Sequence, residues 1–250
     1  MAVQTIDILG VPFSTMTMEE TIQYIMQRLE TEQAHTFQVV TANPEIVMCA
    51  KKDPSFHQTL LEADIITPDG IGVVKASGML GTPLKERVAG FDLMSDLFAT
   101  LSKENKHVSI FLLGAKPHVV KGAAEHLTNT YSAVSIVGMQ DGYFKQEQEE
   151  DIIARIQEAK PDLLLVALGF PRQETFIQNN KHRLQTKVAV GVGGSLDVWA
   201  GEVKRAPKWI QAIHLEWFYR LCSNPTRWRR QLVLVEFLKE VMRSKKSNDN

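Results

Sequence analysis

Six short stretches of β-branched and aliphatic residues recur through the first 200 positions: 37–41 (FQVVT), 64–67 (DIIT), 108–113 (VSIFLL), 134–137 (VSIV), 163–168 (LLLVAL) and 188–192 (VAVGV). Several are apolar on consecutive residues instead of on every second one. That is the pattern of a strand covered on both faces. Helical periodicity fills the gaps. Thr17-Met18-Glu19-Glu20 reads as a capping box, followed by Ile22, Ile25, Met26 and Leu29 on one face. Helices are also expected over 116–127 after a Gly-Ala turn, over 147–159 with Ile152, Ile153 and Ile156, and over 172–183 after a Gly-Phe-Pro turn. Strand alternating with helix predicts an α/β fold, a mainly parallel Rossmann-like sheet flanked by helices. In such sheets ligands bind beyond the carboxyl ends of the strands, so chemistry is expected in the loops that follow them.

After Gly201 the pattern becomes helical only. Pro207 opens one segment (208–222) and Pro225 a second (226–243), with Ser223-Asn224 as the turn between them. In the second, Trp228, Leu232, Val235 and Met242 share a face. The chain therefore divides into a body, 1–200, and a basic amphipathic helical appendage, 201–250. The net charge of −1 conceals this division: residues 201–250 hold eleven Lys/Arg against five acids, and the first 200 residues carry an excess of seven acids. A basic tail on an acidic body suggests an anionic partner: nucleic acid, phosphate groups or a membrane surface. No uncharged apolar run approaches the ~20 residues of a bilayer-spanning helix. The N-terminus lacks the basic and apolar regions of a signal peptide. Cys49 and Cys222 are too few and too distant for a disulfide framework or a metal cluster. The expected setting is the cytoplasm.

Four strand-end loops stand out. In Thr41-Ala42-Asn43-Pro44-Glu45, Thr41 and Asn43 either bond a polar ligand or cap the helix that Pro44 begins. In Thr67-Pro68-Asp69-Gly70, Asp69 is either turn chemistry or a carboxylate aimed at a bound hydroxyl as general base. In Gly169-Phe170-Pro171-Arg172-Gln173-Glu174, Gln173 and Glu174 either bond ribose or uracil edges or serve as capping side chains. The glycines of Gly191-Val192-Gly193-Gly194-Ser195 offer backbone amides to phosphate. Gly114-Ala115 is a weaker fifth candidate. The dinucleotide fingerprint fails at Leu196, which disfavours a nucleotide-dependent oxidoreductase, and no P-loop, nucleophile elbow, H-E-x-x-H or C-x-x-C occurs. There is no Asp-x-Asp motif either, so charge on leaving phosphates would be met by Arg87 and by the tail arginines Arg220, Arg227 and Arg230.

Taken in order, TANPEIV, TPDGIGVV, ERVAGFDL, FLLGA, DGYF, LGFPRQE, GVGGSLDVWAGEVKRAP and LEWFYRL..NPTRWRR resemble the WecG/TagA/CpsF glycosyltransferases (glycosyltransferase family 26). The resemblance runs from about Ile6 to the final arginine cluster, and the last stretch looks most like the TagA branch. It implies an inverting, metal-independent enzyme with no cofactor. That enzyme moves N-acetylmannosamine from UDP-ManNAc to the 4-hydroxyl of undecaprenyl-diphosphate-linked GlcNAc, in wall teichoic acid linkage-unit synthesis. By resemblance Asp69 is the catalytic base and Arg87 the cation at the leaving diphosphate. Thr41, Asn43 and Gln173 line the pocket. Arg220, Arg227 and Arg230 belong to an appendage that meets the lipid diphosphate at the inner face of the bacterial membrane, the protein being peripheral there. Gly114, Glu174, Gly193 and Gly194 complete the expected substrate contacts. The implied partners are a UDP-sugar, the lipid-linked acceptor and an anionic membrane surface, not nucleic acid, with homo-oligomer formation left open. Two alternatives stand beside this: the same acceptor with the ManNAc uronic acid donor, and a non-catalytic basic adaptor at the membrane.

Overall fold

A computed structural model of the chain describes residues 3–32, 34–207, 210, 219 and 228–248. Its centre is a six-stranded sheet built from β3 (Phe37–Ala42), β4 (Ile65–Pro68), β5 (Val108–Gly114), β6 (Val134–Gln140), β7 (Leu163–Ala167) and β8 (Val188–Gly191). The strand order is β4-β3-β8-β7-β5-β6 and every pairing is parallel. All six expected strands are present, and the expected α/β class with a parallel sheet is the observed one.

Consecutive strand residues enter different cores. Val39, Ile65, Leu112, Leu165 and Val190 face a core shared with α1 (Met18–Glu30), α5 (Gly90–Lys103), α6 (Pro117–Thr130) and α9 (Ser195–Trp199). Their neighbours Val40 and Ile66 face a second core with α2 (Pro44–Lys52), α3 (Pro54–Leu61) and α4 (Ile71–Met79). Leu113, Leu164 and Ala189 face a third, with α7 (Glu149–Ala159) and α8 (Arg172–Asn180). Strands sealed on both sides can be apolar throughout, which is why five of the six lack the alternation of a half-exposed strand; β6, at the sheet edge, alternates and leaves Val137 and Met139 exposed.

The capping box at Thr17 is formed: Thr17 Oγ1 accepts from the Glu20 N–H, and Glu20 reaches back to the Thr17 N–H. Several elements were not legible as periodic runs. An N-terminal hairpin pairs β1 (Thr5–Ile8) with β2 (Val11–Ser14) through a turn at Leu9-Gly10, both at positive φ (55° and 87°). Strands of four residues, one containing Pro12, fall below what alternation can signal. Helix α4 is apolar around most of its surface, and α5 starts without a side-chain cap.

The last described helix, α10 (Trp228–Asn248), extends beyond residue 243 and is apolar on two sides. Phe237 and Val241 are fully buried in the second core, where Leu234 and Leu238 also pack, against α2 and α4. Leu232, Val235 and Met242, on the side with the expected apolar face, are about half exposed (57%, 51% and 47%). Lys51 pairs with Glu240, and Lys52 with Glu236 at 2.9 Å, fastening the helix to α2. The expected helix over 208–222 lies outside the described residues, apart from two isolated positions. Among the described residues no helix is long and apolar enough to cross a membrane.

Phe237→Ala should cost about 3–5 kcal/mol in denaturant unfolding, because it leaves a cavity against α2 and α4. Leu232→Ser, on the exposed side, should change stability by less than about 0.5 kcal/mol.

Candidate active site

Beyond the carboxyl ends of β3, β4, β7 and β8 lies a cavity of about 490 Å³. Thr41, Asn43, Asp69, Arg87, Gln173, Gly193 and Gly194 all line it, although they come from five separate loops. Parallel pairing brings those loops together. Thr41 stands opposite Thr67 in the β3–β4 register, and β8 flanks β3 on its other side. After the neighbouring strands β3 and β8 the chain turns to opposite faces of the sheet, α2 into the second core and α9 into the first, and such a divergence leaves a crevice in an open α/β sheet.

Several of these side chains are fixed by bonds to the backbone. Thr41 Oγ1 donates to the Gly191 carbonyl (3.2 Å) and packs where a Cβ on Gly90 would collide with it (2.9 Å). Asn43 caps α2: its Oδ1 accepts from the N–H groups of Glu45 (2.9 Å) and Ile46 (3.1 Å), which leaves the Nδ2 end to donate to a ligand. The capping and ligand readings of Asn43 are thus compatible. Asp69 is half-buried; its N–H donates to the Ala42 carbonyl (2.9 Å), and Gly70, at φ +127°, allows the turn into α4. Val88 N–H bonds the Pro68 carbonyl (2.9 Å), tying the loop that carries Arg87 to the end of β4, just before Asp69. Gly72 lets α10 approach: a Cβ there would meet Leu234 at 2.9 Å and Pro44 at 3.0 Å. Leu234 is part of the cavity wall.

Gln173 spends both ends of its amide inside the protein. Oε1 accepts from the Gly193 N–H (3.2 Å) and Nε2 donates to Glu174 Oε1 (2.7 Å). One of the two glycine amides expected to cradle phosphate is therefore held by Gln173. Glu174 lies behind Gln173 and outside the cavity lining, with Oε2 unpartnered and buried. Burial raises its carboxyl to about 7, against the lowering effect of the Gln173 hydrogen bond. Gly114 also lies outside the lining. It is required by close approach: at φ +125° a Cβ would sit 2.3 Å from the Ala167 carbonyl oxygen. Arg220 and Arg227 lie outside the described residues. Arg230 is in the first turn of α10, and its side chain is not described.

Two lining residues did not emerge from the loops read in sequence. Asp92, in the first turn of α5, pairs with Arg87 (Nη2–Oδ2, 2.8 Å) and with Arg205 (Nη1–Oδ1, 2.6 Å; Nη2–Oδ2, 2.9 Å). Their signals in the sequence are the Asp of GFDL and the Arg of VKRAP, which neither turn chemistry nor helical spacing marks as ligand residues. Among the described residues no three His, Cys, Asp or Glu side chains converge as a metal site.

The wild-type protein should lose stability as pH rises from about 5 to 8. Between the ordinary glutamate value of 4.5 and about 7, the unfolded chain releases a proton that folded Glu174 retains. Above about 7 the loss levels off. Glu174→Gln should remove this dependence, a difference of up to about 3 kcal/mol at pH 8 in urea unfolding.

The model of the WecG/TagA/CpsF glycosyl transferase family matches residues 6–250. The chain is 42% identical over 210 residues (84% of this chain, 80% of the relative) to the N-acetylglucosaminyldiphosphoundecaprenol N-acetyl-beta-D-mannosaminyltransferase of Bacillus spizizenii. To proteins of the same name it is 38% identical in Bacillus subtilis (98% and 93% covered) and 36% in Staphylococcus aureus strain MW2 (96% and 93%). With a strand-end cavity that gathers a carboxylate, a guanidinium and amide side chains, and with this similarity along nearly its whole length, the chain belongs to the WecG/TagA/CpsF family of glycosyltransferases.

Proposed function

We propose that this glycosyltransferase moves N-acetylmannosamine from UDP-ManNAc to the 4-hydroxyl of GlcNAc-diphosphate-undecaprenol, building the linkage unit of wall teichoic acid. The observation that carries the reading is the convergence of Asp69, Arg87, Thr41 and Asn43 on one cavity, in a chain whose relatives bear that transferase name. The reaction is a single displacement. Asp69 takes the proton of the acceptor hydroxyl as its oxygen attacks the anomeric carbon, and UDP leaves from the opposite face with inversion. General-base assistance of this kind contributes roughly 10²–10⁴ in rate. Arg87 balances the charge that develops on the β-phosphate as the bond to the sugar breaks. Thr41 and Asn43 orient the sugars, and Gln173 holds the Gly193 turn that borders the donor. Residues 1–200 act as the catalytic body and 201–250 as the appendage that meets the lipid.

Attachment to the membrane is peripheral. The exposed stripe of Leu232, Val235 and Met242, with Lys239 and Arg243 beside it, has the composition of a helix that lies in an interface. Basic residues near an anionic surface add about 1 kcal/mol each. Arg220, Arg227 and Arg230 bring further positive charge to the lipid diphosphate.

Transfer of label from UDP-ManNAc to a short-chain GlcNAc-diphosphate lipid tests the reading. Asp69→Asn should lower turnover by about 10²–10⁴ with little change in thermal stability; wild-type turnover in that variant would refute the assignment. Product mass after incubation with each donor separates ManNAc from its uronic acid. Chelation with EDTA should leave the rate unchanged, and loss of activity restored by Mg²⁺ would reveal a metal requirement.

A further inference from the structure

The cavity holds a second guanidinium that the family motifs leave without a role. Arg205 follows α9, in the segment that leads out of the body, yet it turns back into the site. Val203 N–H bonds the Asp197 carbonyl (3.1 Å), Ala206 is 2% exposed, and the Arg205 side chain is only 20% exposed. Its guanidinium lies 4.6 Å from the centre of the Phe91 ring, and Phe91 in turn packs on Trp199 at 5.3 Å, the rings tilted by 31°. The Trp199 indole N–H donates to Ser95 Oγ (3.3 Å). The position of Arg205 is thus fixed by α5 and α9 together.

Its partner is the carboxylate that also holds Arg87. Asp92 receives two bonds from Arg205 and one from Arg87, so one carboxylate holds both guanidiniums, and Asp96, one turn further along α5, also feels the charge of Arg205. The remaining carboxylates of the lining, Glu45 and Asp69, come from the loops after β3 and β4. Guanidinium forks match phosphate oxygens in the same bidentate way that they match a carboxylate. Two of them held on one shared carboxylate suit a ligand with two adjacent phosphate groups.

We propose that Arg205 is a second phosphate-binding residue of the donor site, paired with Arg87 around the nucleoside diphosphate and held ready by Asp92. This rests on the reading of the donor as a nucleoside diphosphate sugar. It extends that reading by placing part of the diphosphate grip on the first residues of the appendage.

The test is calorimetric titration of the full chain with UDP and with uridine, which lacks the phosphates. Arg205→Met and Arg205→Gln both keep a stem over Phe91, and a thermal melt checks that they fold. Each should weaken UDP by about 10–100-fold, the range for losing a charge-assisted hydrogen-bonded contact, and leave uridine within about twofold of wild type. The KM for the donor should rise in parallel, and the KM for the lipid acceptor should not. Unchanged UDP affinity in either folded variant would overturn the proposal, and so would an equal loss for UDP and uridine. Unfolding of both variants would also overturn it, by making the Asp92 pair a structural brace. Failure of the wild-type protein to bind UDP at all would instead remove the donor reading, and this inference with it.

Discussion

Burial of both faces of the parallel sheet is the constraint from which the rest of the molecule follows. Val39 and Val40, Ile65 and Ile66, Leu112 and Leu113, Leu164 and Leu165 each send consecutive side chains into opposite cores. Helices must then cover most of both sides, and a polar ligand can be met only where the strands end. Because every strand of the sheet runs the same way, the carboxyl ends lie along one edge. The crevice between the loops of β3, β4, β7 and β8 is the space that this arrangement leaves unfilled.

Within that crevice, polar side chains serve the backbone as well as a ligand. Asn43 caps α2 with its oxygen, Thr41 bonds the end of β8, and Gln173 bridges the buried carboxyl of Glu174 to the Gly193 amide. Such tethering restricts rotamers, which is what a site needs if its groups are to be in place before substrate arrives. Asp92 does the same for two guanidiniums at once. Its carboxylate keeps like charges together in a partly desolvated wall, where without it they would repel each other.

The final helix shows how one amphipathic pattern can conceal another. A face through Leu232, Val235 and Met242 is readable from spacing. The face through Leu234, Phe237, Leu238 and Val241 has equally good helical spacing, and it is the one the body buries. Periodicity identifies apolar stripes but does not rank them, because ranking depends on which stripe meets a complementary surface. Here α2 and α4 supply that surface, with Gly72 allowing close approach and Lys51 and Lys52 reaching Glu240 and Glu236. The same dependence on context explains the roles of Gly114 and Glu174. Gly114 closes β5 and Glu174 stands in the first turn of the helix after β7, as ligand residues would. Gly114 is set against the β7 backbone, however, and Glu174 is turned beneath Gln173.

The sequence by itself determined the α/β class, the six strands, the capping box at Thr17 and the loops from which Asp69, Arg87, Thr41, Asn43 and Gln173 reach the cavity. These are local signals: side-chain period, β-branching, turn residues and ordered motifs, each carried by residues adjacent in the chain. Only the tertiary structure decided the strand order, the seating of α10, and the joining of Arg87, Asp92 and Arg205 into one charged cluster. Arg87 and Arg205 are far apart in sequence, and no local pattern encodes a distance in space. They meet because α5 and α9 pack on the same face of the sheet, a consequence of burying both of its sides.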